Sequence, residues 1–487
     1  MTLCAAFLRV LAGIAAAGVC GWTVARFFTA ELTRREKAAW SLAAGLLVHA
    51  ILLLVLLACR FSPGAGAFLA VDAIALSISL RVRPLRRAAL PIPARHNPRD
   101  RLVILLLWVV AGGAFAIFLV EALSEPMWST DFLAIWGFKG KVAYLTGTLP
   151  GRLFHDPALA WAHREYPLLV PLSLATLAFI GGAWNDQALA FLFPVCELAT
   201  LLALSGFLAR RVSPLAGAGA AALCALCFFL YRAVNAGTAE IPFALGAVLA
   251  ASTALDFLAE DAKPTRARLA AAALYCASLK QEGSLFVVLL AGMVWWRSRA
   301  PRPKRLAAVA LLCVPPAIHW GLLYLLRGSQ TRRDFDLTLF EPRRWLELPP
   351  LFLLVIGRML GTEARQAIVP LSAIALYLLI TRRGIADPLM PVFAVQILCY
   401  AVAFSVSSFD PLYAIEGAFR RITMTLFPAF TLILFARLPY GAPAWAHQSS
   451  EPEAIPVSGD SSALPKREAG ADHGGGTRGK SRKWAES

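Results

Sequence analysis

Long apolar stretches recur from the beginning of the chain almost to its end, and the polar segments between them are mostly short and carry most of the charge. A helical run of about 20 apolar residues crosses roughly 30 Å of hydrocarbon, and in lipid each backbone group must find its partner inside the protein. The pattern therefore predicts an all-α fold, a polytopic membrane helix bundle of about 11–14 transmembrane helices. Three spans open the chain, about Leu3–Phe28, Ala38–Cys59 and Gly64–Leu80, and form an N-terminal unit over residues 1–80. The first lacks a basic leader and reads as a retained helix rather than a cleaved signal peptide. Residues 81–101 hold seven Arg against one Asp, a bias that assigns them to the cytoplasm. Arg34, Arg35 and Lys37 fall on the same side, which leaves the N-terminus outside.

A second module, residues 102–438, begins with an outward span at Leu102–Leu123. The chain then stays polar or amphipathic over 124–165, an external loop of functional length suited to carrying interfacial helices. Basic segments at Arg210-Arg211, Lys263–Arg268, Arg297–Arg305 and Arg382-Arg383 mark inner connections. Outer ones fall at Asn235–Glu240, Arg327–Pro350 and Ser407–Arg420. The remaining spans are about Tyr166–Ala183, Gln187–Ala209, Leu215–Val234, Ile241–Ala259, Leu306–Leu326, Ala367–Thr381, Pro388–Val406 and Ile422–Arg437. Two apparent spans thus separate external Glu165 from internal Arg210, so either one fails to cross or the side assignment is wrong. Leu269–Trp296 reads differently, as a tight pair of helices around Lys280-Gln281-Glu282-Gly283, each short for a crossing at 1.5 Å rise per residue. Residues 439–487, rich in Gly, Ser, Pro and Ala, read as a disordered cytoplasmic tail.

Composition narrows the class. Of 487 residues, 58% are hydrophobic and 16% charged, against about 25% charged in a typical soluble protein, and the mean hydropathy is +0.64. A soluble enzyme, a secreted disulfide scaffold and a nucleic-acid-binding protein are excluded. The net charge of +17 reflects basic loops rather than an affinity for nucleic acid. All nine cysteines lie in apolar segments, where they act as small hydrophobes; Cys224 and Cys227 form a CxxC without a second pair and read as helix packing.

Ionisable groups in or beside membrane spans are costly and mark functional sites. Asp131 follows the first outward span and shares its loop with Trp128, Trp136, Trp161, Lys139 and Lys141; it reads as a helix N-cap and as a reactive carboxylate, two roles that do not exclude one another. His163, Glu165 and Tyr166 stand where the loop re-enters the bilayer, as anchors or ligands. Glu240 opens a helix, where a negative charge is favourable in any case. Lys280 and Glu282 sit at the tip of the short pair and either neutralise one another or bind. Glu416, Arg420 and Arg421 precede the last span, and basic residues on the outer side are better explained by an anionic partner than by topology. His319, behind Pro315-Pro316, reads as a hydrogen-bonded helix residue with metal binding as the minor option. HExxH and GxSxG motifs are absent from the sequence.

An outward pocket at membrane depth, with carboxylates, cations and aromatic faces, suits a substrate with a lipid tail, a phosphate and a sugar. Direct displacement at an anomeric carbon needs one general base for the acceptor hydroxyl. The leaving lipid phosphate needs a clamp of Lys, Arg or a divalent ion, so the cofactor is either none or a divalent cation, with no metal ligand assigned. These residues resemble the GT-C class of integral-membrane glycosyltransferases, in particular the protein O-mannosyltransferase and aminoarabinose transferase families that use polyprenyl-phosphate sugars. The likeness covers about Leu102–Arg437. It rests on Asp131-Phe-Leu-Ala-Ile-Trp136 with Lys139 and Lys141, on Tyr166–Leu169, on Glu240-Ile241-Pro242, on Leu279–Gly283, and on Arg420 to Pro428. Where many members carry a second acid beside the loop Asp, this chain has Phe132.

The resemblance implies an inverting glycosyltransferase of the cell inner membrane, multi-pass, with its active site on the external, periplasmic side. Asp131 carries over as the base, and Lys280 and Arg420 as phosphate-binding positions. Lys139, Glu165, Tyr166, Glu240 and Glu282 complete the expected substrate-binding set. The partners are a polyprenyl-phosphate-linked sugar, membrane lipid and a lipid, glycan or protein acceptor, with no nucleic acid. The alternative is a polytopic transporter or lipid-carrier flippase of the cell envelope. That class expects broken helices in matching positions of two halves, and only the Leu269–Trp296 pair fits. A third reading is a catalytically silent scaffold in which Asp131 and Glu240 only cap helices.

Overall fold

The computed structural model describes residues 2–61, 63–81, 98–149, 156–163, 165–231, 236–327, 346–366, 388–407 and 410–436. The expected span 367–381, most of the basic loop 81–101 and the tail from 437 lie outside the described residues. What is described is an all-α polytopic bundle, with no strand among the described residues. The helices are α1 Leu3–Ala25, α2 Arg34–Ala58, α3 Ala65–Arg81, α4 Pro98–Ser124, α5 Gly137–Thr146, α6 Leu169–Gly181, α7 Leu192–Arg211 and α8 Pro214–Tyr231. They continue as α9 Glu240–Ala259, α10 Lys263–Ala277, α11 Gln281–Arg297, α12 Arg302–Arg327, α13 Leu348–Gln366, α14 Met390–Ser405 and α15 Arg420–Ala436. Six of the described helical segments are long and apolar enough to cross a membrane, and a seventh if the pair Pro411–Phe419 and Arg421–Ala436, bent by 45°, counts as one. The protein is a multi-pass membrane protein.

Small residues set the closest approach in the N-terminal unit. A Cβ on Gly21 of α1 would lie 1.7 Å from the Ser41 carbonyl oxygen of α2, and one on Gly45 would lie 1.7 Å from that of Ala17. The two backbones touch there, the packing that small residues permit where lipid supplies no hydrophobic drive. Helix α2 starts at a capping box: Thr33 Oγ1 accepts from the Glu36 amide at 3.2 Å, and Glu36 Oε2 accepts from the Thr33 amide at 2.9 Å.

The same Glu36 begins a buried ionic network that fixes one end of the bundle. Arg210 of α7 donates to Glu36 at 2.8 Å and to Asp256 of α9 at 2.9 Å. Arg211 also pairs with Asp256. Arg268 of α10 donates to the Phe28 carbonyl at 2.7 Å and pairs with Glu31. Three guanidinium groups therefore face three carboxylates, and each buried charge has an opposite partner, the condition for tolerating ions at low dielectric.

Two expectations about irregular segments are answered at the other end. Gln187 donates to the carbonyls of Leu123 at 2.7 Å and Ser124 at 3.1 Å, which places the start of the span Asp186–Arg211 beside the end of α4. Helix α6 has 13 residues, about 20 Å at 1.5 Å per residue and too short to cross. Its first amide, Leu169, donates to Ser278 at 3.1 Å, while Gly181 at its end accepts from Arg9 near the start of α1 at 3.2 Å. Asp186–Arg211 is therefore the segment of this region long and apolar enough to cross. Helices α10 and α11, of 15 and 17 residues, form the expected pair: α10 starts at the arginine-rich end and α11 returns there, Arg305 donating to the Trp295 carbonyl at 3.4 Å. Their turn, at Ser278–Lys280, points toward the opposite end.

Removing the Arg210 side chain leaves Glu36 without its guanidinium partner. Arg210→Met is expected to lower stability by about 3–5 kcal/mol, the cost of breaking a buried pair by removing one partner, read as a drop in thermal midpoint in detergent against wild type.

Candidate functional site

The site is built where the loop after α4 turns back onto the bundle. Ser129 Oγ accepts from the Phe132 amide at 3.2 Å and caps the π-helical turn Phe132–Trp136 that precedes α5. The N-cap reading of Asp131 is thereby corrected: its side chain makes no capping bond. Asp131 Oδ2 instead accepts from Arg421 Nη1 of α15 at 2.7 Å. A π-turn shifts the register of a helix by one residue and is a recurrent device at functional sites. It is held by Phe132, which is buried between two glycines. A Cβ on Gly137 would lie 2.4 Å from the Phe132 ring, and one on Gly237 would lie 2.9 Å from Phe132 Cβ. Gly237 also has φ +95°, a left-handed backbone that a side chain resists. Phe132, where the resembled families often carry an acid, is thus a wedge that aims its neighbour.

From Asp131 a line of charges runs inward. Arg421 Nη1 lies 3.7 Å from Glu240 Oε1 at the first turn of α9. Glu240 Oε1 accepts from Lys280 Nζ at 3.2 Å, and Lys280 Nζ lies 3.3 Å from Glu282 Oε1 in the first turn of α11. The order is Asp131, Arg421, Glu240, Lys280, Glu282, with three carboxylates, two cations and one negative charge in excess. Glu240 is almost fully buried, whereas the Asp131, Arg421 and Glu282 side chains are 26%, 32% and 23% exposed; the line is buried at its middle and partly open at both ends. Gln396 of α14 donates to the Glu282 backbone carbonyl at 3.3 Å and to the Tyr400 hydroxyl at 2.8 Å, tying α14 to the start of α11.

A second group braces the loop. Lys139 of α5 is buried, and its Nζ donates to the His163 carbonyl at 2.5 Å and to the Tyr166 carbonyl at 3.4 Å. His163 Nδ1 and Glu165 Oε1 are 3.0 Å apart. Tyr166 stacks between Trp136 and His163, with centroids at 5.4 Å and 4.8 Å, and it lies within electrostatic reach of Arg421. Burial presses the Lys139 ammonium down to about 7, with the Glu165 carboxylate pulling the other way.

Most of the expected residues therefore converge. Asp131, Glu240, Lys280 and Glu282 share the ionic line, and Tyr166 flanks it. Lys139 and Glu165, expected to hold substrate, tie the loop together. Arg420 was the expected cation of the last helix, but Arg421 makes the contacts; the Arg420 side chain lies outside the described residues, as does Arg164. The pair of arginines signals a cation there, and only the helix phase, 100° per residue, selects which one faces Asp131. Sequence reading also missed Gln396 and Tyr400, which carry no motif. Beside the line, a cavity of ≈ 400 Å³ opens between α4, the following loop and α8, lined among others by Glu121, Glu125, Trp128, Phe228 and Ala236. Ser129 and Ala236 bound it and stand two residues before Asp131 and four before Glu240. Trp128 Nε1 donates to Glu125 Oε2 at 3.2 Å, so an aromatic face is held at its mouth. Compared with family models, curated proteins and solved structures, the chain matches none of them.

Lys139 gives a pH dependence with a definite sign. An amine titrates at 10.5 in its ordinary state and at about 7 here, so between those values the unfolded chain binds more protons and stability rises with pH. Wild type is expected to gain stability relative to Lys139→Met from about pH 7 upward, and to show a constant difference below it, in paired thermal unfolding series.

Proposed function

We propose that the protein is a membrane glycosyltransferase that moves a sugar from a polyprenyl-phosphate donor to an envelope acceptor, on the external face of the inner membrane. The observation that carries the reading is the convergence of Asp131, Arg421, Glu240, Lys280 and Glu282 into one line at the end of the bundle opposite the arginine-rich network. The charge bias of the loops supports a cytoplasmic side for that network and, with it, an external side for the line.

The chemistry follows from the Asp131–Arg421 pair. Asp131 Oδ2 is already occupied by the Arg421 guanidinium, so the reactive state needs a competitor for Arg421. The donor phosphate is such a competitor, since arginine binds phosphate in a bidentate fork. When the phosphate takes Arg421, with Lys280 behind it, Asp131 is released to the acceptor hydroxyl. The acceptor oxygen attacks the anomeric carbon as Asp131 takes its proton. The bond from that carbon to the phosphate oxygen breaks, and the lipid phosphate leaves as an anion neutralised by the two cations. One displacement inverts the anomeric centre. Glu240 keeps both cations charged and in place before the donor arrives. The cavity beside Trp128 gives the sugar a flat apolar surface.

Asp131→Asn keeps the shape and removes the base, and is expected to slow transfer by roughly 10²–10⁴-fold, measured with a labelled polyprenyl-phosphate sugar in proteoliposomes. Rates equal to wild type remove Asp131 from the mechanism. Arg421→Gln in the same assay is expected to raise the donor KM, because the clamp and not the base is lost. Movement of the labelled lipid between leaflets without any covalent product would instead favour a flippase.

A further inference from the structure

The N-terminal helices hold a cluster that the transfer chemistry does not use. Cys20 of α1, His49 of α2 and Asp72 of α3 are all buried, and their donor atoms lie within 4.8 Å of one another. His49 Nε2 is 2.8 Å from Asp72 Oδ1. Two further atoms, His49 Nδ1 and Asp72 Oδ2, are buried with no hydrogen-bond partner, a costly condition for groups of this kind in a low-dielectric interior. The backbone brings the three together by design: Cys20 is next to Gly21, and His49 follows Gly45 by one turn, so the glycine crossing of α1 and α2 sets their separation. The Phe68 ring of α3 covers His49, with centroids at 5.6 Å.

We propose that Cys20, His49 and Asp72 bind one zinc ion that fastens α3 to α1 and α2. Sulfur, imidazole nitrogen and carboxylate oxygen are the donors zinc takes, with bonds of about 2.0–2.3 Å. In tetrahedral geometry those bonds put donors roughly 3.3–3.8 Å apart, within the spread of the cluster, and the His49–Asp72 contact opens as the ion takes the place of their hydrogen bond. A thiolate disfavours magnesium and calcium. Charge supplies the second argument. Cys20 binds as thiolate after its proton leaves to solvent, Asp72 binds as carboxylate and His49 binds neutral, so Zn²⁺ makes the group uncharged. An uncharged group is the form that a membrane interior accepts. Water completes the fourth position. The third argument is mechanical. Helix α3 buries only Phe68, Asp72 and Ser79; Ser79 is held by Arg26 at 2.7 Å through its carbonyl, and the other two belong to this cluster. A helix with so little buried surface gains more from a metal bond than from packing.

The test uses the full chain purified in detergent, stripped by a chelator and titrated with Zn²⁺ or Co²⁺. One Zn²⁺ per chain is expected, along with thiolate-to-cobalt charge-transfer absorption from the Co²⁺ form. Cys20→Ser is expected to abolish that absorption, and Asp72→Asn to weaken Zn²⁺ binding by about tenfold or more, since even outer partners of a ligand cost 10–100-fold. Cys59→Ser, which changes an exposed thiol, retains both. Zinc is expected to slow hydrogen exchange in α3 of wild type. Wild-type protein that takes up no Zn²⁺, or a Co²⁺ form without the thiolate band, overturns the proposal, and neither reading depends on a variant folding. Absorption that persists in Cys20→Ser overturns it as well.

Discussion

The structure depends on the cost of placing charge in a low-dielectric bundle. An unpaired ion there is expensive enough to forbid the fold, yet the chain buries Glu36, Arg210, Asp256, Arg268, Glu240 and Lys280. Each of these has an opposite partner, and the partners come from different helices. Arg210 joins the start of α2 to the ends of α7 and α9, and Arg421 joins the loop after α4 to α9. Ion pairing is therefore the long-range wiring of the bundle, while apolar packing only brings the helices alongside one another.

The two charged clusters solve this problem differently. At the arginine-rich end three guanidinium groups meet three carboxylates and the sum is zero. Such a network fixes the ends of four helical elements and has no charge left to offer. The line from Asp131 to Glu282 carries three acids and two bases, and its two end members are partly exposed. A cluster with an excess charge and an open end is poised to exchange partners. That contrast is the physical reason for proposing chemistry at one end and a structural role at the other.

Much of this was legible in the sequence, because the signals were either periodic or costly. The helical class follows from apolar runs of membrane length, and Asp131, Glu240, Lys280 and Glu282 stood out as charges beside such runs. The short α10–α11 pair was legible because Lys280 and Glu282 interrupt the apolar pattern. The one ambiguity of sides, between Glu165 and Arg210, also had a physical origin. The segment Tyr166–Ala183 is as apolar as a true span, since α6 is buried within protein on nearly every face, and burial in protein and burial in lipid select the same residues. What the sequence could not convey was phase and closeness. Arg420 and Arg421 are chemically alike, and only the rotation of α15 decides which one meets Asp131. The Cys20, His49 and Asp72 cluster was missed for a related reason: each residue sits on a different helix, and nothing but the glycine contact of α1 and α2 places the first two side by side.

The π-helical turn after Asp131 ties these strands together. A regular helix beginning at Ser129 keeps Asp131 in its first turn, where the free amides attract a carboxylate. Ser129 takes the capping role and Phe132 wedges against Gly137 and Gly237, so the carboxylate is turned away from the backbone and toward Arg421. An acid at 132, smaller than the ring, would leave the space against Gly137 and Gly237 unfilled and bury a charge there. A single carboxylate beside a single guanidinium is left, and this is the minimal set for one proton taken and one phosphate held. Glu240 sits behind both cations and prevents their mutual repulsion from pushing Arg421 out of reach. The residues nearest solvent are thus free to change partners because those behind them cannot.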